Sequence, residues 1–145
     1  MTWPVVHISQ SIDAGFEAVI NFAAEPRNLP LWAAGLSTGI RNDGGRWVTD
    51  SPMGSVEVKF VGPTEWGILD HDVTLPDGTV VHNPLRVLRN NKGAEVVFSI
   101  FRRPGMTDAE FEEDARLVRL DLARLKTLLE HQAGPTESPE KLPHR

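Results

Sequence analysis

The chain contains no cysteine and no tyrosine. Without cysteine there is no disulfide framework, no thiolate zinc site and no thiol nucleophile. Without tyrosine, any mechanism that needs a phenol is excluded. Long apolar runs are missing too: no stretch approaches the about 18 apolar residues of a membrane span, so no transmembrane helix is expected. The stretch from Met1 to His7 lacks the basic and apolar regions of a secretory signal, and the expected location is the cytoplasm. Nor is there an excess of positive charge. The formal net charge of −5 argues against a nonspecific nucleic-acid binder, which needs many cations to neutralise phosphates.

What is present is an ordinary globular composition. Hydrophobic residues make up 40% and charged residues 24% of 145 residues, enough for one domain with its own core and too few for two. That domain is expected over residues 1–133. Residues 134–145, GPTESPEKLPHR, are polar with three prolines and are expected to be a disordered tail.

The pattern of elements begins with a β-branched run from Val5 to Ile12, read as a strand. Asp13 stands where a helix N-cap belongs, and Phe16, Val19, Ile20 and Ala23 follow at helical spacing until Pro26. A second short helix is predicted from Asn28 to Ala34, with Pro30 in its first turn and Gly35 as its C-cap. Turn signals then cluster at Asn42–Gly45, Ser51–Gly54, Pro76–Gly78 and Asn90–Gly93. They separate six runs: Ser37–Arg41, Arg46–Asp50, Ser55–Val61, Trp66–Leu75, Thr79–Arg89 and Ala94–Arg103. Short turns join antiparallel neighbours, which makes a meander.

The last element is a long helix. Thr107 and Glu110 form a capping box, and Phe111, Ala115, Val118, Leu122, Leu125 and Leu129 recur every three or four residues. The helix is predicted to reach about His131, about 37 Å at 1.5 Å per residue. Acidic residues from Asp108 to Asp114 begin it, and Arg124, Lys126 and His131 end it, complementing its dipole.

This order of elements resembles the SRPBCC superfamily, also called START or birch-pollen-allergen-like, in its polyketide cyclase-like bacterial branch. The features that carry the resemblance are Ile12-Asp13-Ala14 leading into Phe16–Phe22, the stretch Glu25–Trp32, Gly67–Val73, His82-Asn83-Pro84, Val97–Met106 and the closing helix. The resemblance implies an α+β helix-grip fold: a curved seven-stranded antiparallel sheet wrapped around the long C-terminal helix, with two short helices after the first strand. It also implies a cavity between sheet and helix, where superfamily members typically bind small apolar molecules and some act on them.

The strands can be read further from their own residues. In Leu75-Pro76-Asp77-Gly78-Thr79, Pro, Asp and Gly suit a three-residue loop. That register pairs Leu75 with Thr79, Val73 with Val81, His71 with Asn83 and Leu69 with Leu85. Alternation puts these on one, mostly apolar face, and sends Asp70 with Pro84 and Asp72 with His82 to the other. The loop Asn90–Gly93 pairs Arg89 with Ala94, Val87 with Val96, Leu85 with Phe98 and Asn83 with Ile100. Val96, Phe98 and Ile100 then face inward, as do Val56, Val58 and Phe60. A curved wall of Leu69, Val73, Val81, Leu85, Phe98 and Ile100, marked by His71 and Asn83, has the composition of a small-molecule pocket.

His71 reads as a polar anchor or acid–base group of that pocket, or as a structural histidine bonded to Asn83 or to the backbone. Asn83 reads as a ligand contact, or as a strand end before Pro84. Trp32 lies at the pocket mouth or anchors the second helix. Asp72 and His82 read as a surface cross-strand pair, Trp47 and Trp66 as sheet packing, and Arg102 and Arg103 as a solvated strand end. No histidine spacing suits a metal, and alternation points Asp70 and Asp72 away from His71, so no metal site is expected. No Gly-rich phosphate loop or nucleophile elbow is present, and no cofactor is expected.

Three functions follow. The first is binding of a small hydrophobic or aromatic ligand. The second is an enzyme of the polyketide cyclase/dehydratase type, with His71 as candidate catalytic base and Asn83 as a carbonyl donor. The third is a protein-binding domain like the branch of the superfamily that activates heat-shock chaperone ATPases. No nucleic-acid or membrane partner is expected; a homodimer is left open.

Overall fold

The computed structural model describes residues 1–36, 38–52 and 54–137. Ser37 and Met53, which fall in an expected strand and an expected turn, lie outside the described residues. The first strand, β1 (Val5–Ile12), is followed by helix α1 (Phe16–Ala23), a 3-10 turn (Pro26–Asn28), helix α2 (Leu29–Trp32) and a second 3-10 turn (Ala34–Leu36). The meander is β2 (Arg41–Asp43), β3 (Arg46–Ser51), β4 (Gly54–Phe60), β5 (His71–Thr74), β6 (Val80–Asn83), β7 (Leu85–Asn90) and β8 (Gly93–Phe101). Helix α3 (Asp108–Glu137) closes the fold.

The sheet is not the expected seven-stranded one. Eight strands among the described residues form two antiparallel sheets, ordered β1-β8-β7 and β2-β3-β4-β5-β6. The extra strand comes from Pro84, which divides the run expected to be continuous from Thr79 to Arg89. Proline has no N–H for the ladder, and the chain uses that break to pass from one sheet to the other.

The run expected as a strand from Trp66 also differs. Thr64–Trp66 is a 3-10 turn ended by Gly67 at φ 85°, a left-handed conformation that favours glycine. A Cβ at Gly67 would meet the Val87 carbonyl oxygen at 2.3 Å, so only glycine lets the chain pass this close to β7. The Val87 N–H bonds the Gly67 carbonyl, and the Leu69 N–H bonds the Leu85 carbonyl, each at 2.8 Å. These bonds stitch the two sheets together.

Other boundaries move by a few residues. The strand expected over Ser37–Arg41 forms instead at Arg41–Asp43, because Gly44 and Gly45 (φ 64° and 92°) make the turn by themselves. Asp13 does not cap α1; Gly15 stands there, and the Asp13 N–H bonds Glu130 of α3 at 2.8 Å. The C-cap of α2 is Ala33, with Gly35 inside the next turn. The capping box of α3 is formed as expected: Glu110 N–H donates to Thr107 Oγ1 at 3.1 Å, and Thr107 N–H to Glu110 Oε1 at 2.9 Å. The helix continues past His131 to Glu137, into the expected tail; residues 138–145 lie outside the described residues. Among the described residues no helix is long and apolar enough to cross a membrane.

The core lies where α3 and α1 pack on the sheet of β1, β8 and β7. Ile12, Val19, Leu69, Leu85, Val96, Leu122 and Leu125 are its largest fully buried side chains. Both expected hairpin registers are found: His71 with Asn83 and Val73 with Val81, then Leu85 with Phe98 and Val87 with Val96. The second ladder is paired only from Leu85 onward, so the expected partnership of Asn83 with Ile100 is replaced by one bond, Ser99 N–H to the Pro84 carbonyl at 3.1 Å.

Candidate functional site

Between the strands and α3 a cavity of about 380 Å³ remains. This lies in the size range of small-molecule sites. On the sheet side, Val58 and Phe60 of β4, His71 and Val73 of β5, Asn83 of β6, and Phe98 and Ile100 of β8 line it. Leu85 forms its floor, and Trp32 and neighbours of α2 close one side. Most of the residues expected in the pocket therefore meet there: Trp32, His71, Val73, Asn83, Leu85, Phe98 and Ile100. Leu69 and Val81 do not. Leu69 is wholly buried in the core beneath the sheet junction, and Val81, although paired with the lining residue Val73, is not part of the cavity wall.

The helix supplies what the sequence reading missed. Asp114, Val118, Asp121 and Leu122 of α3 line the cavity. The spacing of four and then three residues puts both carboxylates on one face with Val118. The signal is present in the sequence, but Asp114 counts there with the acidic start of the helix that complements its dipole, and Asp121 is not singled out. Burial pushes both carboxyl groups above the ordinary aspartate range. Asp121 accepts a hydrogen bond from the Ala34 N–H at 3.1 Å and lies 3.5 Å from Arg124. For Asp114, the nearby charge of Arg103 offsets part of the burial.

His71 is held on three sides. Its Nδ1 lies 3.0 Å from the Leu69 carbonyl oxygen, and the edges of Phe60 and Phe98 approach the ring at centroid distances of 5.8 and 5.9 Å. A carbonyl only accepts, so Nδ1 carries the proton and Nε2 presents a lone pair. Burial holds the imidazole below the ordinary histidine range, mainly by removing water from its charged form, although the Leu69 bond acts the other way. A neutral imidazole with a free Nε2 can accept a hydrogen bond or a proton.

Asn83, opposite His71 in the register, keeps its side-chain amide free of hydrogen bonds within the described residues. Thr49 and Ser51, also on the lining, donate their hydroxyls to the carbonyls of Gly39 and Gly54 at 2.6 and 2.7 Å. Trp32 is 3% exposed, and its indole N–H is buried without a partner among the described residues.

On the opposite face of the same hairpin the charged groups are paired. Asp70, expected on the outer face with Pro84, is 8% exposed and accepts from Arg86 Nε and Nη2, both at 2.8 Å, and from the Leu85 N–H at 3.0 Å. The Arg86 bond holds its carboxyl below the ordinary range. Asp72 and His82 bond at 2.7 Å. Among the described residues no group of three His, Cys, Asp or Glu side chains could hold a metal ion. Trp66, expected in sheet packing, is 72% exposed because it closes a 3-10 turn. The Arg27 guanidinium stacks on Trp47 at 4.9 Å. Arg102 is tied to Asp108 and to the Met106 carbonyl.

At the level of sequence, no family model matches the chain and no curated protein does. Solved structures do. XoxI from Bacillus cereus superposes with a TM-score of 0.69 at 12% identity, over 90% of this chain and 98% of its own. A START superfamily protein from Mycobacterium smegmatis gives 0.61 at 12% identity, over 88% and 98%. DynU16, from the dynemicin biosynthetic locus, gives 0.65 at 20% identity, over 88% of this chain and 48% of its own. The chain thus shares the fold of START-like structures, antiparallel strands with a long C-terminal helix, consistent with the helix grip that the resemblance implied, but with eight strands in two sheets among the described residues where one of seven was expected.

Proposed function

We propose that residues 1–133 form a single domain that binds a small hydrophobic or aromatic molecule in the cavity between the sheet and α3. The observation that carries this reading is the cavity itself: space of about 380 Å³ with a mainly apolar lining, on which His71 Nε2 and the Asn83 amide have no hydrogen bond among the described residues. A protein interior normally closes such space and pairs such groups, because voids and unpaired polar atoms both cost stability. An open space beside His71 also favours a ligand over protein docking, which needs no cavity.

A second reading rests on His71. The ring is fixed and neutral, its Nε2 has no hydrogen bond among the described residues, and Asn83 is its direct cross-strand neighbour. That pair can serve as base and carbonyl donor for an enolisable substrate, the cyclase-type chemistry expected from the sequence. DynU16 comes from a biosynthetic locus, which is compatible with this reading.

The test is native mass spectrometry and thermal shift with a panel of neutral aromatic compounds, on the wild type and on Val118→Phe, which fills the cavity from α3. Binding that raises Tm in the wild type and disappears in the variant supports the reading. An unchanged Tm across the panel, with a crystal structure showing the space filled by side chains, overturns it. For the second reading, turnover of a poly-carbonyl substrate that persists in His71→Ala removes catalysis by this residue.

A further inference from the structure

The polar groups of the cavity are unbalanced between donors and acceptors. The hydroxyls of Thr49 and Ser51 already donate to backbone carbonyls. The Trp32 N–H is a donor, but it is buried away from the open space. The Nδ1 proton of His71 goes to Leu69. What faces the space is the Nε2 lone pair of His71 and the carboxylates of Asp114 and Asp121, of which Asp121 has one oxygen engaged by Ala34. The Asn83 amide offers one donor group beside them. No lysine or arginine is on the lining among the described residues. Arg103 and Arg124 act on the two carboxylates from outside it.

A ligand carboxylate entering this space would lose its water beside two aspartates, with no cation on the wall to meet it. A hydroxyl or an ammonium group meets the reverse situation: His71 Nε2 on the sheet wall and Asp114 on the helix wall are acceptors without a hydrogen bond among the described residues. Resting on the cavity-binding reading above, we infer that the site selects apolar molecules that donate hydrogen bonds, hydroxyl compounds at His71 Nε2 and amines at Asp114, and rejects carboxylates such as fatty acids.

A matched set on one ring system tests this: naphthalene, 2-naphthol, 2-methoxynaphthalene, 1-naphthylmethylamine and 1-naphthoate, titrated by calorimetry at pH 7.5. One hydrogen bond to a desolvated acceptor corresponds to about tenfold in affinity. The expected order places 2-naphthol and the amine about tenfold or more tighter than naphthalene, and 1-naphthoate weakest. Methylation of the hydroxyl removes the donor without touching the protein, so 2-methoxynaphthalene should fall back to the naphthalene value. His71→Phe should remove the advantage of naphthol alone, and Asp114→Asn that of the amine alone. If naphthoate or the methyl ether binds as tightly as naphthol, donor selection is wrong while cavity binding stands. If none of the five binds, both fall.

Discussion

The two faces of the β5–β6 hairpin are built from alternate residues of the same few positions, yet they treat polar groups in opposite ways. On the outer face, Asp70 is paired with Arg86 and the Leu85 N–H of β7, and Asp72 with His82, at 2.7–3.0 Å. On the inner face, His71 spends one nitrogen on Leu69 and leaves the other bare, and Asn83 has no hydrogen bond among the described residues. The outer groups therefore contribute to stability, whereas the inner ones are positioned by the fold and contribute little to it. Paired polar groups hold the two sheets together where Pro84 breaks the ladder; unpaired ones are available to something that enters the cavity.

The largest way to break this contrast is at Asp70. Its carboxylate is the acceptor for one backbone N–H and for a two-point bond from Arg86, across the junction of the sheets. Asp70→Ala leaves both donors short and should cost about 2–3 kcal/mol, the half-exposed Arg86 keeping the loss from being larger. Urea unfolding at pH 7 measures it; a loss below about 0.5 kcal/mol would make the outer network ornamental. The folded carboxyl titrates below its ordinary value of 3.8, so its stabilisation is complete above that range and is lost as pH falls through the lowered folded value. Asp70→Ala should flatten that part of the acid limb.

The next effect is at His71 and has the other character. His71→Phe keeps an aromatic ring between Phe60 and Phe98 and gives up only the Leu69 bond, so stability at pH 7 should change by less than about 1 kcal/mol. The pH dependence is the sharper readout. In the unfolded chain histidine takes up a proton near 6.5, while the buried ring takes it up only at lower pH. Between those two values the unfolded chain binds more protons, so the wild type loses stability as pH drops through about 6.5, until the folded value is reached. His71→Phe should remove that loss. Identical wild-type and variant profiles across this window would mean that the ring is not buried as a neutral base.

How much of this was legible in the sequence depends on what fixed each feature. The Pro76-Asp77-Gly78 loop sets one register, and with it the pairing of His71 with Asn83 and the placing of Asp72 with His82. The capping box and the apolar periodicity set α3. Two features were not legible. Alternation continues only along an unbroken strand, and Pro84 and Gly67 both interrupt it, so the partnership of Asp70 with Arg86 across the sheet junction had no period to announce it. Asp114 and Asp121 flank an apolar stripe, and a sequence does not say how far such a stripe is covered. Only the way the second sheet stands over α3 decides that Leu125 is sealed in the core while Asp114, Val118 and Asp121 border open space.

The smallest effect tests whether the outer face is one network or two independent contacts. Asp72 and His82 bond at 2.7 Å, but the His82 side chain is 53% exposed, and water screens such a pair. Asp72→Ala should cost less than about 1 kcal/mol, as cross-strand surface pairs do. His82 also stands 3.9 Å from Asp70, near enough to feel its charge and too far to hydrogen-bond. If that distance governs, the double variant Asp70→Ala/Asp72→Ala should lose the sum of the two single losses within about 0.5 kcal/mol. A larger coupling would mean that His82 turns to Asp70 when Asp72 is removed. The paired face would then be a single adjustable network, and its contrast with the inner face would lie in the number of partners each group can reach rather than in fixed pairs.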